Sequence, residues 1–169
     1  MKPKRSRLPK KLAFSSRQFV MRPYRMSDHA AWKAAYEAAL PKQNPYDSEK
    51  KAAKELAPAV FRKFVARNNR LAKDDLIYHF GAFEKRTGRL MGFVLLALVT
   101  RFNVQSARIS YVVFNNYWKR GYGREIAAAT LQFVFRRLKL HCIEAEIQPG
   151  NRGASCLVKS LVLRAERIR

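Results

Sequence analysis

Lys119, Arg120, Gly121, Tyr122, Gly123 and Arg124 sit where the sequence changes period. Before them runs "RISYVVF" (108–114), apolar and strand-like; after them runs "AAATLQFVFRRL" (127–138), with Ala127, Leu131, Val134 and Leu138 at helical spacing. A strand that turns directly into a helix leaves the first helical amides unpaired at the positive end of the dipole. That is an anion site by construction. Gly121 and Gly123 can take positive φ and let a ligand approach the backbone. The three cations add charge at the same point, so a phosphate-bearing ligand is expected. A glycine turn with solvated cations is the competing reading. Two familiar phosphate loops are excluded. The P-loop needs Lys-Ser/Thr after its second glycine, and Arg124-Glu125 follows here. The dinucleotide fingerprint needs a third small residue, and Ile126 stands there.

Few other residues carry chemistry. His29, His79 and His141 are scattered, so no zinc site is expected. Cys142 and Cys156 form no CxxC pair and read as buried free thiols of a reducing compartment. Glu144 and Glu146 share one face of a strand, which is either solvated or turned towards a substrate. Tyr111 and Tyr122 read as packing residues. Asn151 either closes the "PGN" turn or contacts a ligand. No carboxylate or histidine stands out as a general base.

The elements that must hold these residues follow from pattern. "QFVMRPY" (18–24) is a strand, and Ser27 is placed to cap the helix "DHAAWKAAYEAAL". Prolines break residues 41–47. A second helical region is expected from Ser48, carrying Leu56, Val60, Phe61, Phe64 and Val65, with Pro58 kinking or splitting it. Residues 76–84, 87–100 and 106–114 are strands, the first two joined by the hairpin turn "EKRTGR". A strand over 141–148, a short helix over 152–161 and a last strand at "VLRAERIR" complete the order β-αα-βββ-α-β-α-β. This is a mixed α/β sheet with helices on it.

The chain has 169 residues, one domain by size, and 35 Lys+Arg against 12 Asp+Glu give it a net charge of +23. Such a field attracts polyanions. Residues 1–17 hold seven cations and no acid and read as a disordered basic arm, leaving 18–169 as the folded domain. No apolar leader is visible, and "FVLLALV" is too short to span a bilayer, so a cytoplasmic protein with no membrane contact is expected.

"YVVFNNYWKRGYGRE" resembles the acetyl-CoA pyrophosphate loop of the GNAT acetyltransferases. More narrowly it is similar to the RimJ/RimL type of protein N-acetyltransferase, with an apolar strand and then Tyr-Trp-x-x-Gly-Tyr-Gly. "MRPYRMSDHAAW" resembles that family's opening strand and first helix, and "IEAEIQPGN" with "CLVKSL" its late strand, asparagine and last helix. The resemblance implies a twisted mixed sheet with helices on both faces, opened into a V. In it Val112, Val113 and Phe114 would line the pantetheine arm, and the amides from Lys119 through Arg120, Gly121, Tyr122 and Gly123 to Arg124 would hold the pyrophosphate. Asn151 would bond the pantetheine with Ser155 nearby, and Ser155 is either the catalytic acid or an ordinary helix residue. The N–H of Val113 would stabilise the oxyanion. The implied reaction moves acetyl from acetyl-CoA, with no metal, to an amine such as the N-terminus of a ribosomal protein.

The sequence also departs from that pattern. Arg108 stands where many members carry glutamate, Ala154 where serine is common, and Leu161-Val162-Leu163 where Leu-Gly-Phe closes the last helix. The family continues into another strand beyond this point. An open sheet edge is therefore expected near "VLRAERIR", inviting a dimer or a partner chain. The alternative function is a basic ribosome- or RNA-binding protein that keeps the fold without catalysis.

Overall fold

The computed structural model describes residues 12–100 and 105–161. Six strands form one sheet in chain order: β1 (Phe14–Ser15), β2 (Phe19–Pro23), β3 (Ile77–Glu84), β4 (Leu90–Thr100), β5 (Ser106–Val113) and β6 (Cys142–Glu144). Neighbours from β1 to β5 are antiparallel, and only β5 and β6 run parallel. The parallel pair needs a crossover, and the helix after the glycine loop supplies it.

Alternation along the strands makes two cores. One face buries Phe19, Met21, Phe80, Val94, Leu96 and Ile109 beneath α3 (Tyr122–Phe133), which contributes Ile126 and Phe133. The opposite face joins Phe83 and Leu90 to Trp32 of α1 (His29–Glu37) and to Phe61 and Val65 of α2 (Pro58–Lys73). A last helix, α4 (Arg152–Ser160), packs on α3. Helices cover both faces, as the resemblance implies.

Several local expectations change. Ser27 does not cap α1: it lies in a short 3₁₀ turn, and Asp28 takes the terminal position. Asp28 is fixed there by the Arg25 amide and by both terminal nitrogens of Arg22, at 2.7 and 2.8 Å. The second helical region is split at Pro58, as expected, though it starts later than Ser48: a 3₁₀ turn, Ala53–Leu56, comes first and Ala57 is extended. Pro58 is the first residue of α2, where its missing N–H costs nothing. The helix after the glycine loop runs on through one π-turn, Val134–Leu138, before Lys139 ends it in the left-handed region.

β6 is shorter than the expected 141–148, because only Ser106–Arg108 faces it across the ladder. The expected basic arm runs to residue 17, yet Phe14 and Ser15 pair with Met21 and Val20. Phe14 also stacks on Phe133, which gives that end of the arm an apolar anchor. Both cysteines are free, but Cys142 is half-buried and Cys156 exposed: the latter lies on the polar arc of α4. The expected strand at "VLRAERIR" and most of the arm lie outside the described residues.

Candidate functional site

The site is a gap in the sheet. β6 stops at Glu144, opposite Arg108, while β5 continues to Val113. No strand therefore faces the outer edge of Ile109–Val113 among the described residues. Phe114 N donates to Met91 O on β4, so by alternation the N–H and C=O of Val113 point the other way, into the gap. Trp118 Nε1 donates to Val113 O at 2.7 Å, which ties the following loop to the strand. The N–H of Val113 stays aimed into the opening.

The loop then turns twice through the left-handed region, at Lys119 (φ 61) and Gly121 (φ 78). α3 begins at Tyr122 with no side-chain cap, so its first amides look outward. A Cβ at Gly121 would meet nothing within 4 Å, leaving the approach to those amides open. Lys119, Arg120 and Arg124 are exposed around it, and no carboxylate pairs with them among the described residues. Left-handed turns, open amides and unpaired cations together form a cradle suited to a pyrophosphate.

Gly123 departs from the expectation of positive φ: it lies inside α3. Its missing side chain serves packing, because a Cβ there would stand 2.9 Å from Leu157 Cδ1 of α4. Tyr122 packs edge-on against Phe19 at 5.0 Å between centroids. Asn151 caps α4, its Oδ1 accepting from Ala154 N at 3.1 Å. Ser155 is half-buried one turn into the same helix. Thus α4 brings Asn151 and Ser155 to the side of the gap where α3 begins.

Arg108 lies between Glu146 at 3.0 Å and Glu144 at 4.0 Å. Both glutamates do share a face, and that face is spent on the arginine. Glu84 bonds Thr87 in the β3–β4 turn. Burial raises Tyr111 above the ordinary phenol range and pushes Tyr36 up to about 12, so both hydroxyls stay protonated at neutral pH.

On the other face of β4 and β5, a cavity of about 260 Å³ lies between the sheet and the segment joining α1 to α2. Phe93, Val112 and Phe114 form its floor, Tyr36 one wall, and Asp47 and Glu49 part of its roof. Asn115 closes the rim: its Oδ1 accepts from Leu40 N at 2.7 Å, and its Nδ2 donates to Leu40 O and Asp47 Oδ2, each at 2.8 Å. Sequence reasoning passed over Asn115, Tyr46 and Asp47. The available signal was a polar Asn pair directly after an apolar strand, together with "PYD" inside a proline-broken segment.

Comparison with known proteins gives three kinds of likeness. Residues 18–162 match the acetyltransferase (GNAT) domain family. The chain is 38% identical over 85 residues to a Bacillus subtilis protein named probable N-acetyltransferase YjcK, covering 50% of this chain and 46% of that protein. It thus spans about half the length of that relative. It is 26% identical over 157 residues to the uncharacterized N-acetyltransferase YnaD of the same organism, covering 90% of this chain and 82% of that protein. In fold it resembles Mycobacterium smegmatis RimJ in complex with CoA-disulfide, with a TM-score of 0.76 and 22% identity, over 92% of this chain and 77% of that one.

Proposed function

This chain belongs to the GNAT acetyltransferase family, and we propose that it transfers the acetyl group of acetyl-CoA to the N-terminal α-amine of a protein. The carrying observation is the unpaired outer edge of β5 running straight into the open amides of α3. The outward-facing N–H of Val113 holds the pantetheine arm as a missing strand would, while Val112 and Phe114, whose backbone groups are spent on β4 and the following loop, flank it. The amides and cations of 119–124 hold the pyrophosphate. Asn151 keeps its Nδ2 for a pantetheine oxygen while Oδ1 caps the helix.

Acetyl-CoA supplies a thioester carbonyl that a neutral amine attacks directly. The N–H of Val113 then donates to the carbonyl oxygen as charge develops there. The intermediate collapses as the C–S bond breaks: the departing CoA sulfur takes a proton from the Ser155 hydroxyl, which solvent replenishes, and the new amide nitrogen gives its extra proton to solvent. The amine enters from the opposite face, through the cavity over Phe93 and Val112.

An α-amine suits this site better than a lysine. Reference pKa values are about 7.7–8.0 and about 10.4, so deprotonation at pH 7 costs roughly 1 and roughly 4.6 kcal/mol. Among the described residues the carboxylates near the opening are engaged: Glu144 and Glu146 by Arg108, Asp47 by Asn115 and Glu49 by Lys42. The test is competition between two peptides, one with a free N-terminus and no lysine, the other blocked and carrying one lysine. Preferential labelling of the first near pH 7 is expected, and preference for the second would overturn the assignment.

A second contact, with ribosomal or other RNA, is favoured by α2. Arg62, Lys63, Arg67, Arg70 and Lys73 are exposed on it, and the helix contains no acid. Such a surface serves either a catalytic protein at its ribosomal substrate or a non-catalytic RNA binder. Turnover of acetyl-CoA separates the two.

A further inference from the structure

The segment joining α1 to α2 touches both arms of the gap. At one end Asn115, two residues beyond β5, spends its whole side chain on it: besides Leu40 and Asp47, Nδ2 reaches Pro41 O at 3.3 Å. At the other, Tyr46 Oη donates to Pro149 O at 2.9 Å, just before Asn151. Gly150 is shaped to this contact. Its φ is +87, and a Cβ there would stand 2.4 Å from Tyr46 Oη. The segment is also braced within itself. Asp47 accepts from Gln43 N at 3.0 Å and Ser48 N at 2.9 Å, and Lys42 reaches Glu49 at 2.6 Å.

An exposed stretch with two prolines has little apolar burial to hold it. Its position therefore rests on these polar ties, and that position makes the roof of the cavity of about 260 Å³ over Phe93 and Val112. We propose that Asn115 and Tyr46 are positioning residues for the acceptor: they hold residues 40–50 across the mouth of the gap so that the cavity beneath takes the first residue of an acceptor peptide. This rests on the reading of the chain as an amine acetyltransferase. It adds that the acceptor pocket exists only while both arms are bridged. Loss of either tie opens the roof, weakens the peptide and leaves the acetyl-CoA cradle of α3 intact.

The experiment uses the full chain, Asn115→Ala and Tyr46→Phe, with a short peptide bearing a free N-terminus. Peptide Kd in the presence of CoA, acetyl-CoA Kd, peptide KM and kcat, and amide hydrogen exchange are measured. Each lost hydrogen bond corresponds to about three- to tenfold in equilibrium. Tyr46→Phe is expected to weaken the peptide by about that factor and Asn115→Ala by at least about tenfold. Acetyl-CoA affinity should stay within about twofold, and exchange should quicken over 40–50 but not in α3. Faster exchange with unchanged peptide affinity would overturn the proposal, as would unchanged exchange or a wild-type chain that binds no peptide. A wild type that binds peptide with this dependence on both residues, yet acetylates nothing, would leave the positioning role standing and remove the transferase reading instead.

Discussion

Glu125 accepts two hydrogen bonds from Gln18, one from its backbone nitrogen at 2.6 Å and one from its side-chain Nε2 at 2.7 Å. The single acid in the first turn of α3 is thereby drawn towards β2 and away from the anion cradle. The pair also locks the start of α3 onto the sheet.

Loss of that pair should be felt as stability. Burial pushes the Glu125 carboxyl up, but the Gln18 amide, the Ser16 hydroxyl, the Gln18 side chain and Arg17 together hold it below its ordinary value. A lowered carboxyl stabilises above its unfolded pKa, and the contribution is lost as pH falls through the lower folded value. Glu125→Ala should cost about 1–3 kcal/mol at pH 7. The difference from wild type should shrink in acid, as denaturant unfolding at pH 7 and pH 3 would reveal.

Gly121 and Gly88 make a matched pair. Both have positive φ, 78 and 71, and a Cβ at either meets nothing within 4 Å. A side chain at either position should carry the same backbone cost, about 1–2 kcal/mol. Only Gly121 stands before the open amides of α3. Gly121→Val should lower acetyl-CoA affinity by more than about tenfold while Gly88→Val leaves it unchanged. Calorimetric titration of both variants checks this, and equal affinity would remove the cradle from 119–124.

His79 should dominate acid sensitivity above pH 4. It is enclosed by the rings of Tyr24, Phe64 and Phe93, and burial pulls its pKa down from 6.5 to about 4. The folded chain keeps it neutral while the unfolded chain takes up a proton below pH 6.5, so stability falls with pH across that window. The full loss is about 3 kcal/mol, complete near pH 4. His79→Phe should flatten stability between pH 6.5 and 4. A profile identical to wild type would show that the imidazole is not held neutral.

The cations of α2 should set the salt dependence of RNA binding. Each phosphate contact adds about 0.9 to the slope of log K against log salt. Replacing Lys63, Arg67 and Arg70 with Gln should lower that slope by about 2–3 for a duplex RNA. Replacing Arg86, Arg89 and Lys139 instead removes the same charge and should lower it by less than about 1. Equal effects from both sets would mean that net charge, and not this helix face, governs binding.

The local sequence determined much of this protein. Strands β3, β4 and β5 and helix α3 were legible because period and residue type act over a few neighbours. Gly121 was legible for the same reason: a strand-to-helix turn with positive φ is a short-range demand. The two-residue spacing of Glu144 and Glu146 put them on one side of the chain, although β6 ends at Glu144 and it is Arg108 that both of them meet.

Other features waited for contacts between residues far apart in the chain. By sequence Gly123 is a second glycine able to take positive φ, and only Leu157 of α4 shows that it is a packing glycine. Ser27 was a reasonable cap until Arg22 on β2 fixed Asp28 in its place. Arg108 looked like the loss of a base, and only the fold supplies it with Glu144 and Glu146 as partners. The Asn pair after β5 and the "PYD" of the proline-broken segment mark Asn115 and Tyr46 as polar loop residues, but not what they bind, because their partners lie 75 and 103 residues away. Local propensity selects elements one by one. Which polar groups those elements bring within hydrogen-bond reach is decided when the sheet and its crossovers close, and there the cavity over Phe93 and Val112 is made.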